Sequence, residues 1–151
     1  MTHVELSLTD AAAVLRPHPV AGPWPGLDRW ASVAADALEP CLVLDSHTAV
    51  VAVSPPAAAL TGIADPVAAV GRGLREVIGP LLDFGATPAP LPEHEVERIP
   101  PLLALSSGMM ARGLLRVGDR AGGRPVTLDA VSAPLTDGAR VVGSLTFLAR
   151  I

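Results

Sequence analysis

Few side chains in this 151-residue sequence could do chemistry, and they are scattered. The single cysteine, Cys41, stands beside Leu42 and Val43. It can form neither an internal disulfide nor a cysteine-rich metal site, and it reads as a buried, inert thiol. Of the four histidines, His3, His18 and His47 fall in the terminus or in turns, and they share no metal-ligand spacing with His94. His94 lies among Glu93, Glu95 and Glu97, and an acidic, proline-rich stretch of this kind reads as a solvated surface. Lysine, asparagine, glutamine and tyrosine are missing, and all eleven basic residues are arginine. The chain therefore offers no amine for a Schiff base, no phenol, and no side-chain amide to read the edge of a flavin or a nucleobase. There is no G-x-S-x-G elbow and no P-loop, and Gly71-Arg72-Gly73 lacks the third glycine and the preceding strand of a dinucleotide site. A small α+β enzyme with a cone-like pocket would have to use His94 or Asp129 as its acid or base. The alternation around Asp129 puts that carboxylate on the outer face of its strand, away from any pocket.

Composition narrows the field further. The net charge of −4 and pI near 5.4 argue against direct nucleic-acid binding, which needs clustered positive charge. The absence of lysine points to GC-rich coding, as in actinobacteria, rather than to function. Half the residues are hydrophobic, but no run approaches the roughly 18 apolar residues of a membrane span. No apolar h-region follows a charged start, so the expectation is a soluble, cytoplasmic chain without membrane contact.

The length suits one domain, with residues 1–26 as an N-terminal extension and 27–151 as the folded unit. In the extension, HVELSL could be a short strand and TDAAAVLR a capped helix, before PHPVAGPWPG breaks regular structure. Over Leu27 to Leu38, the positions Trp30, Val33, Ala34, Ala37 and Leu38 follow helical spacing and make one apolar face, ended by Glu39-Pro40. Cys41–Leu44 and Thr48–Val53 read as a hairpin around Asp45-Ser46-His47. Ser54 can then cap a helix that has Pro55 in its first turn and closes at Gly62. Asp65 caps a second helix beginning at Pro66, with Gly71 as its stop, and a third short piece spans Leu74 to Ile78. Residues 81–97 read as a loop leading into a helix over about Val96 to Ser107. Pro100 and Pro101 allow that helix to start as late as Ile99, and Gly108 ends it. Three strands finish the chain, with turns at Gly122-Gly123 and Thr136-Asp137-Gly138.

This order of a helix, two strands, several short helices, a longer helix and three strands resembles the PAS family over residues 27–151. The resemblance rests on Ser54 followed by Ala57–Ala59, on Leu60-Thr61-Gly62, on Val70-Gly71-Arg72, and on Ala104-Leu105-Ser106-Ser107-Gly108. Ser54 replaces the asparagine usual in the family, but its oxygen can cap the same helix. The resemblance implies an α+β fold, a five-stranded antiparallel sheet with short helices on one face and the N-terminal amphipathic helix outside it. It implies a non-enzymatic sensory or regulatory module of signal transduction or transcription regulation, with a small apolar ligand or a signalling partner protein. A purely structural dimerisation module is an alternative.

A pocket between the inner sheet face and the short helices would be lined by Leu60, Ile78, Leu103, Leu115, Leu128, Ala130 and Leu145, unless these side chains simply fill the core. Haem-binding members carry a histidine near the position of His94, but its acidic surroundings favour solvation, and no haem is expected. The flavin-adduct version needs a cysteine among the short helices and amides for the ring. Cys41 lies on the first strand and no amides exist, so no flavin is expected. The Trp30 helix either docks on the outer sheet face, with Val51 and Val53 as apolar contacts, or pairs two copies into a homodimer.

Overall fold

The computed structural model describes residues 25–151, so the expected strand and helix of the extension lie outside the described residues. In chain order the elements are helix α1 (Pro25–Ala35), strands β1 (Cys41–Asp45) and β2 (Val50–Val53), and short helices α2 (Pro55–Thr61), α3 (Pro66–Ala69) and α4 (Leu74–Val77). They are followed by β3 (Leu81–Leu82), α5 (Glu93–Val96), α6 (Pro100–Ser107), β4 (Ala111–Val117), β5 (Val126–Asp137) and β6 (Arg140–Arg150). The strands form one antiparallel sheet in the order β2-β1-β6-β5-β4-β3. Five of them are the strands expected. The sixth, β3, arises within a stretch expected to be a loop. It pairs Leu81 with Val117 and Leu82 with Arg116, then stops where the Asp83 carboxylate accepts the Gly85 and Ala89 amides and turns the chain.

Local chemistry explains the short helices. The Ser54 hydroxyl accepts the Ala57 amide at the start of α2, and Gly62 ends that helix in the left-handed region at φ 73°. Asp65 accepts the amides of Val67 and Ala68 and so starts α3. The stop expected at Gly71 comes one residue earlier, at Val70. Pro100 and Pro101 occupy the first turn of α6, which therefore begins there and not at Val96. The residues before it make the separate α5.

Two expectations about the outer layer need correction. Helix α1 ends at Ala35, because the chain must turn out of the helix to enter β1 through Pro40, and Leu38 is left 94% exposed. Val53 does not face α1. A register shift between Val43 and Leu44 pairs Val53 with the inward Leu42, so Ala52 and Val51 meet the helix instead.

The sheet thus separates two cores. On the inner face, Leu42, Leu44, Val50, Val53, Leu128 and Leu148 pack with Ala57, Leu74, Ile78, Ile99 and Leu102 from the short helices and α6. On the outer face, Ala34 of α1 is buried with Cys41, Val43, Ala52 and Leu145, flanked by Leu27, Trp30 and Phe147. Gly143 makes this close approach feasible, since a Cβ there would meet the Leu44 carbonyl oxygen and lie 2.8 Å from Leu27 Cδ1.

The two sheet edges are unlike. Along β2, Val50 donates its amide to Arg72 O and accepts from Gly71 N, both at 2.8 Å, while Leu74 N donates to Thr48 O. The α3–α4 connection therefore covers that edge. Along the edge of β4 away from β5, only the end next to β3 is paired among the described residues.

Two substitutions test this construction. The buried Ser54 hydroxyl also accepts the Cys41 amide at 3.0 Å and donates to Glu39 O at 2.8 Å. Ser54→Ala should lower unfolding free energy by about 2–3 kcal/mol, because it strands buried backbone groups as well as removing a cap. An unchanged urea midpoint would refute that role. Gly143→Val should cost about 1–3 kcal/mol by overpacking. In a Trp24→Phe background, Trp30 emission should shift to the red as α1 lifts. Unchanged emission would show that Gly143 does not set the helix height.

Candidate functional site

The residues expected to line a pocket are divided between the inner core, its margin and the outer face. Leu128 and Ala130, both 0% exposed, lie at the centre of the inner core with Ile78 and Leu115. Leu60 is half-buried at its margin. Leu145 belongs to the other face. On β6 the even positions Ser144, Thr146 and Leu148 point inward, and Leu145 and Phe147 point out beneath α1. Leu103 is half-buried outside the inner cluster, and its neighbour Leu102 takes the inward position on α6.

The interior is closed by small and hydroxylic residues that the sequence reading did not single out. Helix α6 lies across β5 and β6 through Ala104, which is fully buried. Beneath it Ser132 and Thr146, paired across the two strands, share a hydrogen bond of 2.6 Å between their hydroxyls. Ser144 donates to Pro101 O at 3.1 Å. All three hydroxyl residues are at 0% exposure, and each has its partner, so the stripe carries little desolvation penalty while letting helix and sheet approach closely. A signal for it was present in the even-numbered parity of Ser132, Ser144 and Thr146, which matches that of Leu128, Ala130 and Leu148.

The ionisable groups lie away from this interior. Asp129 is on the outer face, as its alternation requires. There Arg112 donates Nε to Oδ1 at 3.1 Å and Nη2 to Oδ2 at 2.6 Å. This two-pronged bond holds the Asp129 carboxyl below its usual range. Arg75 grips Glu93 in the same way, joining α4 to α5 and lowering the Glu93 carboxyl. His94, next along α5, is exposed. Cys41 faces α1 with its sulfur 3.9 Å from Ala34 O, and burial pushes its thiol up, toward the inert form. Arg120, from the β4–β5 connection, donates Nη2 to Ile78 O at 2.6 Å and to Val77 O at 3.3 Å. It thereby satisfies carbonyls at the C-terminal end of α4.

What remains accessible is on the surface. Against α1 there is a shallow recess bordered by Trp30, Val33, Ala37, Leu145 and Phe147. A larger groove of ≈ 220 Å³ runs beside β4, with Leu91, Ile99, Pro100 and Leu115 among its apolar lining and Arg98, Arg112 and Arg116 among its polar lining.

No family model matches the sequence, and no curated protein sequence matches it. Solved structures do resemble the fold. The light-state structure of the blue-light photoreceptor Aureochrome1 LOV has a TM-score of 0.56 at 19% identity, over 76% of this chain and 83% of that one. The PAS domain of a protein from Colwellia psychrerythraea also gives 0.56, at 15% identity, over 83% of this chain and 96% of that one. The Vibrio cholerae VqmA dimer gives 0.58 at 15% identity, over 80% of this chain but 49% of that one. With the strand order, the three short helices and α6 placed as described, these likenesses establish that residues 25–151 adopt the PAS fold.

Proposed function

We propose that this chain is a non-enzymatic sensory or regulatory module that works through protein partners, as a homodimer paired at the α1 face. One observation carries this reading. The interior, where a module of this fold would house a molecule, is occupied by side chains at 0% exposure and by α6 seated on hydroxyl residues, whereas apolar surface is left over outside. A small apolar ligand of the kind expected from the sequence would have to displace that packing. The two acid–base candidates of the sequence do not enter the interior, since the Asp129 carboxylate is bound to Arg112 on the outer face and His94 is exposed.

Several features support action at α1. Trp30, Val33 and, beyond the helix, Ala37 are incompletely covered by docking on the sheet, and Leu38 is bare just after them. Apolar groups left in this arrangement fit a second apolar surface. A twofold pairing would let each copy present the same patch to the other. The Vibrio cholerae neighbour is itself described as a dimer. Other neighbours are light-oxygen-voltage domains, one of them studied with a flavin analogue. For this chain we infer no flavin, because Cys41 lies under α1 on the outer face and no amide side chain exists to hold the ring. Nor do the residues about His94 fit haem, since the imidazole is exposed and flanked by carboxylates.

Native mass spectrometry of freshly purified protein should give a dimer mass, and its absorbance should lack Soret and flavin bands. Val33→Asp should shift the mass to the monomer while leaving the far-ultraviolet circular dichroism intact, since it charges the patch without opening the core. A wild-type monomer across micromolar concentrations would remove the homodimer. A visible chromophore band would overturn the preference for protein partners.

A further inference from the structure

We propose that the open edge of β4 accepts an extended strand of a partner polypeptide in which apolar residues alternate with acidic ones. The proposal rests on the reading of this chain as a partner-binding module and names a second surface, separate from α1. The backbone comes first. Gly118 N donates to Pro80 O at 2.6 Å, so the even-numbered residues of β4 direct their amides and carbonyls toward β3. Arg116 meets Leu82 there, but β3 turns away at Asp83. The outward amide and carbonyl groups of Arg112 and Leu114 are left without a partner among the described residues. The opposite edge of the sheet is covered by the α3–α4 connection, so this gap is a local feature of β4.

Side chains then specify the guest. A strand added along the line β3 abandons would pair two of its residues with Arg112 and Leu114, and those residues would share the outer face with Arg112 and Arg116. Arg112 keeps Nη1 and Arg116 keeps Nη2 beyond the hydrogen bonds they make. The groove holds three guanidiniums, with Arg98, against the carboxylates of Asp83 and Glu95, and Asp83 is engaged with the Gly85 and Ala89 amides. Acidic residues suit the outward positions. The residue between them would fall on the inner side, above Ile99, Leu91 and Pro100, where an apolar side chain fits. Phe84 and Leu114, 56% and 50% exposed at the rim, would be covered as well. Charge on the edge arginines, with Gly113 between them, limits indiscriminate pairing of this edge while leaving it open to a complementary strand.

The test uses the full chain and a synthetic capped peptide, Thr-Val-Glu-Val-Glu-Val-Thr. Addition of the peptide should slow hydrogen exchange at the Arg112 and Leu114 amides and leave exchange at α1 unchanged. Methylating the backbone nitrogens of the two glutamates, which face β4, should weaken binding by at least about tenfold, as expected for the loss of two main-chain hydrogen bonds. Methylating the flanking valines should have little effect. On the protein, Leu114→Pro removes one outward amide that has no internal partner and should abolish binding, whereas Leu114→Ala retains it. The methylated peptides keep the test independent of whether the proline variant folds. Failure of the peptide to protect Arg112 and Leu114, or equal effects of the two methylation patterns, would overturn the proposal. The dimer mass is read separately, so that result would leave the α1 interface standing.

Discussion

One buried hydroxyl holds the two layers of this protein in relation to each other. Ser54 Oγ accepts the amides of Cys41 and Ala57 and donates to Glu39 O, so the exit from α1, the first residue of β1 and the first turn of α2 converge on a single atom. Each of these backbone groups would otherwise lose its partner at a site where Ser54 is fully buried. A cap chosen only to start α2 could have been supplied by asparagine or aspartate. Serine is short enough to sit at 0% exposure and still reach across the β1–β2 pair, which ties a local capping rule to the tertiary fold.

From that junction the sheet's two-residue period decides nearly everything about which side chain serves which core. The sequence shows this period clearly on β4 and β5, where Arg112 and Arg116 oppose Leu115, and Asp129 opposes Leu128. Both assignments match the structure. It conceals the period where the strand is not regular. Val53 looks like an outer residue until the register shift at Val43 and Leu44 is taken into account, because an irregularity of one residue exchanges the faces beyond it. Leu145 fails for a related reason. In β6 every position from Val142 to Leu148 is buried or nearly so, since helices cover both faces, and composition no longer tells inside from outside. The short helices were the most legible elements, because their caps at Ser54 and Asp65 and their prolines act through covalent neighbours. The closed interior was the least legible, because Ser132, Ser144 and Thr146 look like solvent residues until two strands and α6 bring their partners to them.

The closed interior also constrains how such a module could respond to anything. Among the described residues the inner core presents no charged group, and the carboxylates of Asp129 and Glu93 are neutralised at the surface by Arg112 and Arg75. Exposed pairs of this kind are worth little to stability, so they fix local geometry more than they hold the fold. Any response of the proposed module would therefore be a matter of packing. The helix best placed to move is α1. It contributes one fully buried residue, Ala34, to the outer core, and its other contact residues are partly buried. Isolated helices of this length are marginal in water, so the position of α1 depends on the surface it meets.

A modest free energy would suffice for a switch of the proposed kind. Moving a two-state equilibrium from 1:99 to even requires about a hundredfold difference in affinity, or about 2.7 kcal/mol. At roughly 25 cal/mol per Å² that corresponds to about 110 Å² of apolar surface covered in one state and bare in the other. Trp30, Val33, Ala37 and Leu38 are the residues of α1 and its exit with apolar area still to cover. The Ser54 hydroxyl then determines where such a shift would be felt. Because Glu39 at the end of the α1 connection and Ala57 in α2 share that atom, displacement of α1 that pulls on Glu39 loads the first turn of α2 on the other side of the sheet. In the proposed module, coupling between the outer helix and the inner helices would run through the hydrogen bonds of one serine and would need no molecule inside the core.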